Sequence, residues 1–494
     1  MQTYGSLNER QAGILMPVSS IPSDSGIGDF GDMTRRFIDD SAKAGFKIWQ
    51  ILPLNPVGYG NSPYQPYSSF AGDEIYINLD ELKKDGLLKE VQEFISDKNS
   101  VDYEAVRAYK TPYFKEAYEA FKKDEALQQE FADFEKEAFW LDRYALFRVL
   151  KDKNNGSPWT SWPEADRTME QVPQELADEV GYQKFLQFIF TKQWKKILEY
   201  AHEKCLTVVG DMPIYVGGDS ADVWQFQDSF LLDEQGRPQV VAGVPPDYFS
   251  ATGQLWGNPI YDWKYLKEHD YDFWIKRFDW NRKLFDVIRI DHFIGFDRYW
   301  QIPADSTTAI SGHYEDGPSY SLFDVVFDKL PDLKLIAEDL GVLRPEVHAL
   351  KNKYDLLGMR IAQYSMGEEE EKENFVLPEA CIVYTGTHDN DPVNGWYQGL
   401  DKEEQKRMKK IFKHLKLKGK TPAEKMTDYS LKADSRIAII PMQDLLNLEA
   451  DARINTPGTI GTPNWQWRAS DLALYEAKLD KIKKELKNSH RLVY

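Results

Sequence analysis

Eight short apolar runs, most of them separated by stretches of helical pattern, constrain this chain more than any other feature of its sequence. They fall at residues 13–18, 46–54, 206–214, 287–293, 333–340, 358–364, 381–390 and 436–446. Each is nearly continuous in apolar residues, the pattern of a strand buried on both faces in a parallel sheet. Residues 29–44 show the intervening pattern: Asp29 is placed to cap a helix, Phe30, Met33 and Phe37 share one face, and Gly45 ends it. Strand, helix and strand across 13–54 make a βαβ unit, which calls for a parallel sheet. Eight such strands predict a closed (β/α)8 TIM barrel, read here as one catalytic domain over 1–494.

The connections are uneven. Roughly 150 residues separate the second and third runs, where a simple crossover needs only about a dozen. The stretch 71–200 is charged and rich in Lys, Glu, Leu and Phe, and is predicted to be a mostly helical insertion. The stretch 216–285 is predicted to carry a second insertion with a substrate-covering loop, because Trp, Tyr, Gly and Pro crowd 243–263. Both are expected over the C-terminal face of the barrel, where long loops carry function.

Composition excludes several classes. No run approaches the ~18 consecutive apolar residues of a membrane span, and MQTYGSLNERQAG lacks the basic-then-apolar pattern of a signal peptide. Two cysteines, Cys205 and Cys381, argue against a disulfide framework and for a reducing, cytoplasmic setting. A net charge of −19 argues against nucleic acid as a partner, which needs a basic surface. GIGDFG (26–31) matches a dinucleotide fingerprint in letters only. Its glycines do not directly follow the strand, and no acidic residue stands about 20 positions on. KGKT (418–421) lacks the first glycine of a phosphate loop, and no H-E-x-x-H occurs. Of eight histidines, only His292 and His388 fall at strand ends. No metal or cofactor is expected.

The informative pattern is acidic. Asp211, Asp291, Glu338, Asp339 and Asp389 all stand at the C-terminal ends of apolar runs, which converge on the active face of a barrel. One such carboxylate can simply cap the next helix; several, on four strands, are poorly explained by capping. In RIDHF, Arg289 and Asp291 are two apart and point the same way, so the cation favours an ionised Asp291. In AEDLG, either Glu338 or Asp339 could enter the site, and spacing does not choose between them. One ionised carboxylate and one protonated carboxyl suffice to break a glycosidic bond. The aromatic residues, 14% of the chain, suit either packing or stacking on sugar rings.

In order along the chain, GIGDFG, NSPYQPYSSFAGD, GDMPIYVGGDSADVW, GVPPDYFSATGQLWGNPIY, RIDHFIGF, IAEDLG, YTGTHDND and NTPGT followed by NWQWR resemble the 4-alpha-glucanotransferase family. This is the amylomaltase or disproportionating-enzyme type, a relative of the α-amylases. The likeness runs from about residue 12 to 470. It implies retaining transfer of α-1,4-glucan segments between maltooligosaccharides. Carried over by motif, Asp291 is the implied nucleophile and Glu338 the general acid/base. Asp389 is the implied stabiliser of the transition state, bound to sugar hydroxyls. Asp211, Arg289, His292 and His388 would line the donor subsite, and Ser62, Tyr64, Gln254, Trp256 and Asn464 would also contact glucan. The aromatic loop with Tyr248, Phe249 and Trp256 is expected to hold glucan and exclude water.

Two segments depart from the family. Asp24-Ser25 replaces the usual Pro-Tyr before GIGD, and YSMGEEEEKENF with Pro378-Glu379-Ala380-Cys381 replaces the usual sequence after the sixth barrel strand. Two other readings use the same residues: an α-glucan hydrolase, and a glucan-binding protein without catalysis. A pure binder has no need of a nucleophile and an acid together.

Overall fold

The computed structural model describes residues 6–246, 250–367 and 377–492. Among the described residues twelve strands form two sheets. In chain order they are β1 (Gln11–Leu15), β2 (Ile48–Gln50), β3 (Thr207–Pro213), β4 (Val240–Val244), β5 (Gln254–Pro259) and β6 (Val287–Asp291). There follow β7 (Arg298–Pro303), β8 (His313–Asp316), β9 (Leu335–Ala337), β10 (Leu357–Ile361), β11 (Cys381–Tyr384) and β12 (Ile437–Pro441). Each of the eight apolar runs supplies one barrel strand. The strands close in the order β1-β2-β3-β6-β9-β10-β11-β12, every pair parallel.

Successive side chains on a strand point to opposite faces, so each barrel strand divides its residues by parity. Leu15, Ile48, Val209, Val287, Ile336 and Ile439 meet in the barrel interior. Val208, Ile288, Ile290, Leu335 and Val383 join the shell between the strands and the surrounding helices. Burial on both faces explains why these strands are apolar throughout rather than alternating.

The helix after β1 is Asp32–Ala44, closed by Gly45 in the left-handed conformation at φ 97°. Asp29 does not cap it; Gly31 is the N-cap residue. Asp29 is buried instead, accepting from Ser25 Oγ at 2.6 Å, Asn78 Nδ2 at 2.9 Å and Gly31 N at 3.2 Å. This fixes the GIGDFG loop, where a Cβ on Gly28 would lie 1.8 Å from the carbonyl oxygen of Val18. The glycine is there for close backbone approach, as expected once the nucleotide reading fails.

Between β2 and β3 the chain forms helices including Tyr103–Phe121, Glu125–Glu137 and Leu141–Lys153, then the long helix Ala177–Glu203. That last helix returns to the barrel, where Trp194 Nε1 donates to the carbonyl of Leu284. The connections on either side of β6 hold more than a loop. β4 and β5 pair with β7 and β8, from beyond β6, in an antiparallel sheet of order β5-β4-β7-β8. The sequence reading contained no such sheet. Its strands are short and broken by Gly and Pro, and its partners come from two separate connections, so no local period announces it. No helix among the described residues is long and apolar enough to cross a membrane.

Candidate active site

The inward face of β6 reads Val287, Arg289, Asp291: apolar at the base of the barrel, charged at its top. On β3 the matching face reads Val209, Asp211. The register sets Val209 against Val287, Asp211 against Arg289 and Pro213 against Asp291. Arg289 Nη1 donates to both oxygens of Asp211 at 2.7 Å, and Arg289 Nη2 lies 3.1 Å from Asp291 Oδ1. Tyr64 Oη, from the connection after β2, donates to Asp211 Oδ2 at 2.8 Å. One buried guanidinium thus ties two carboxylates, a geometry for which arginine is suited and lysine is not.

Parity also resolves the acidic pair after β9. Ile336 points into the barrel, so Glu338, two residues on, points the same way. Asp339 points outward and is buried, bound by Lys351 Nζ and by the backbone N–H of Met359 at 2.7 Å. Glu338 is held over the site by backbone donors: His292 N reaches Oε2 at 2.7 Å and Leu340 N reaches Oε1 at 3.1 Å. His292 stands in the left-handed conformation, φ 53°, which turns the chain sharply just after Asp291.

These surroundings set the proton affinities. Burial pushes Asp291 up to about 6; the Arg289 charge opposes the rise, while Asp211 and Asp389 add to it. Burial also pushes Glu338 up to about 7, the charge of Asp291 adding to it and Arg289 and the two backbone donors opposing. The carboxyls titrate as a pair, and the carboxyl with the higher proton affinity is Glu338. Burial lowers His292 to about 4, so its ring is neutral near pH 7. Burial raises Tyr64, which keeps its proton and its role as donor.

After β11, His388 is buried and its Nε2 lies 3.4 Å from Asp389 Oδ2. Tyr64 stacks on the His388 ring with centroids 5.2 Å apart, and Trp465 packs against both. From the second sheet, Trp256 meets His292 with the two rings perpendicular and their centroids 4.8 Å apart, and its Nε1 donates to Gln254 Oε1 at 3.1 Å. Gln65 Nε2 holds the carbonyl of Trp256 at 3.2 Å. Residues from six barrel connections therefore reach one face.

The family model for 4-alpha-glucanotransferase of glycoside hydrolase type 77 matches residues 16–474. The chain belongs to the 4-alpha-glucanotransferase family. It is 41% identical to the 4-alpha-glucanotransferase of Clostridium butyricum, covering 94% of this chain and 98% of that one. It is 39% identical to that of Thermus thermophilus, covering 93% and 94%. Among solved structures, the amylomaltase from Streptococcus agalactiae in complex with acarbose matches with a TM-score of 0.93 and 35% identity, covering 98% of this chain and all of that one.

Within this 4-alpha-glucanotransferase, the remaining residues expected at the site differ in how free they are. Ser62 Oγ accepts from Tyr64 N at 3.3 Å and shapes the loop that carries Tyr64. The Asn464 amide is engaged in its own loop: Oδ1 accepts from Thr456 N at 2.9 Å, and Nδ2 donates to Thr459 Oγ1 and to the Thr459 carbonyl. Tyr248, Phe249 and residues 368–376 of the divergent segment after the sixth barrel strand lie outside the described residues. Sequence reasoning passed over Trp465, Arg453 and Asn455. Trp465 and Asn455 fall inside quoted motifs, Asn455 as the first residue of NTPGT; Arg453 lies two residues before it, and no period or spacing singles any of them out.

Proposed function

We propose that Asp291 and Glu338 carry out a retaining double displacement on α-1,4-glucans. Glu338, protonated, donates its proton to the glycosidic oxygen while an oxygen of ionised Asp291 forms a bond to the anomeric carbon. The C1–O bond to the leaving glucan breaks, and a glycosyl ester on Asp291 remains. Glu338, now a carboxylate, takes the proton from the 4-hydroxyl of an acceptor sugar, whose oxygen displaces Asp291. Atoms and charges return to their starting state, with one glucan segment transferred.

The observation that carries this reading is the placement of two carboxyls at the ends of the adjacent strands β6 and β9 with different partners, Asp291 against the Arg289 guanidinium and Glu338 against backbone N–H groups. Asp291 beside Arg289 is the carboxyl that ionises first, and Glu338 is the one that holds a proton near neutrality. Two carboxyls pushed apart in this way supply an acid and a nucleophile at one pH. Asp389, with its side chain 41% exposed, is suited to accept from sugar hydroxyls. Asp211, Arg289, His292 and His388 form the walls of the donor subsite, with Tyr64 as an aromatic floor. Trp256, pinned by Gln65 and set against His292, is placed to cover the acceptor side together with Gln254, and Asn464 acts from the edge. The stretch 71–200 buttresses the barrel, and 216–285 covers its mouth.

Incubation with maltotriose followed by chromatography tests the reading. Transfer yields both shorter and longer sugars from one substrate. Asp291→Asn should abolish both while retaining the fold and maltooligosaccharide binding. Wild-type production of shorter sugars alone would make the protein a hydrolase; an active Asp291→Asn, with deamidation excluded, would show another nucleophile.

A further inference from the structure

The segment after β12 grips the segment after β11 at several points. Asn455 Nδ2 donates to Asp389 Oδ1 at 2.6 Å, and Asn455 N donates to the carbonyl of His388 at 3.1 Å. Arg453 adds two bonds to that grip, Nη2 to the carbonyl of Asp389 at 2.7 Å and Nη1 to Asp391 Oδ1 at 2.9 Å, while its Nε braces its own segment by donating to the carbonyl of Asn455 at 2.7 Å. Asp389 is a short side chain on a turn, 41% exposed, with no strand to hold it. Left alone, its carboxylate would sample several rotamers, and an acceptor that must meet a sugar hydroxyl in the transition state gains from being fixed in advance.

We propose that Asn455 is a positioning residue for the glucanotransferase reaction, holding one oxygen of Asp389 so that the other, Oδ2, faces the sugar and His388. The proposal rests on the role given to Asp389 above. Asn455 is suited to this because an amide N–H satisfies one carboxylate oxygen without neutralising its charge. A lysine in its place would form an ion pair and draw Asp389 away from the substrate. The bond is charge-assisted and only partly exposed, so its removal has a measurable effect.

Charged and titratable groups face Asp389 from several barrel connections. His388 and Asp391 share its segment, and Arg453 approaches from the segment after β12. Asp291 on β6, Tyr64 after β2 and Tyr364 after β10 all feel its charge. Asn455→Asp changes this set in one respect: it faces one carboxyl with another at the 2.6 Å contact. Two carboxylates that close cannot both ionise, so they share a proton. With the proton in place the bridge is an O–H···O bond and Asp389 is held; once it leaves, the two repel.

The test measures kcat and KM for maltotriose transfer from pH 5 to 8 in wild type, Asn455→Ala, Asn455→Asp and Asp389→Ala, with melting curves for each. Asn455→Ala should lower kcat on the order of ten- to a hundredfold, with KM changed less than kcat. Asn455→Asp, divided by wild type to remove the titration of Asp291 and Glu338, should fall roughly tenfold from pH 5 to 8. A merely structural Asn455 would give a ratio independent of pH. A flat ratio, or an Asn455→Ala kcat within twofold of wild type, overturns the positioning role. If Asn455→Ala does not fold, the near-isosteric Asn455→Asp ratio decides alone. An Asp389→Ala enzyme with wild-type activity overturns the role of Asp389 itself, a distinct result.

Discussion

Arg289 is the residue whose removal most directly probes the mechanism. In the wild type, kcat/KM requires Asp291 ionised and Glu338 protonated. With the two carboxyls at about 6 and about 7, the profile is a bell with its maximum between those values. Arg289→Gln removes a cation whose Nη2 lies 3.1 Å from Asp291 and leaves Asp211 as an uncompensated neighbour. Two unit charges about 4 Å apart interact by about 4 kcal/mol at an effective dielectric constant of ~20. At about 1.4 kcal/mol per pKa unit, that is a rise of up to ~3 units for Asp291, less whatever share Asp211 takes by holding the proton. The sign is fixed: losing a cation raises an acid. The Asp291 value should therefore move up past that of Glu338, so that the acid limb of the bell rises to the Glu338 value and the alkaline limb is set by Asp291. The proton then resides on Asp291 while Glu338 ionises, and the productive form becomes a minor species. The expected loss in kcat/KM at the best pH is about a hundredfold, with a displaced acid limb. Arg289→Lys keeps the charge and loses the fork, so its limb should move less. The pH–rate profile for maltotriose transfer, taken below the melting temperature of each variant, is the assay. That precaution matters because breaking one side of a buried pair costs about 3–5 kcal/mol. An Arg289→Gln enzyme that is slow but whose acid limb stays within ~0.3 pH of wild type would refute the argument. Arg289 would then serve binding alone.

Glu338→Gln should slow both half-reactions, and a glycosyl fluoride donor, whose leaving group needs no proton, should recover the first half but not the second; equal defects on fluoride and maltotriose would remove Glu338 from the acid role. Trp256→Ala should lower turnover and raise the share of hydrolysis, read as free glucose and reducing ends per segment transferred, because the acceptor side loses its cover; an unchanged ratio would make Trp256 a packing residue. Gly28→Ala should destabilise the protein by about 2 kcal/mol or more, because its Cβ would meet the Val18 carbonyl. Gly86→Ala, at φ 78° with open space around it, should cost only about 1 kcal/mol, and melting curves compare the two.

The barrel was legible in the sequence because strands buried on both faces must be apolar throughout, and eight such runs leave few architectures. The site's acidic residues were legible for the same reason in reverse: a carboxylate at the end of a buried strand is costly unless it has a task. Arg289 and Asp291 were readable as partners because they share parity on one strand. The helix start was misread, since Asp29 looks like a cap in one dimension, whereas its actual donors include Asn78, far along the chain.

Sequence alone thus determined the eight strands, their order along the chain and the set of charged residues at their ends, all of which follow from continuous apolar runs and from the cost of burying charge. Only the tertiary structure decided the rest. Glu338 rather than Asp339 faces the site because Ile336 faces inward, and that choice is made by closure of the barrel rather than by any residue near it. The β5-β4-β7-β8 sheet joins connections on either side of β6, and Asn455 reaches Asp389 across 66 residues of chain. Such contacts depend on where the backbone brings distant segments together, and a side chain's local sequence carries no record of its partner.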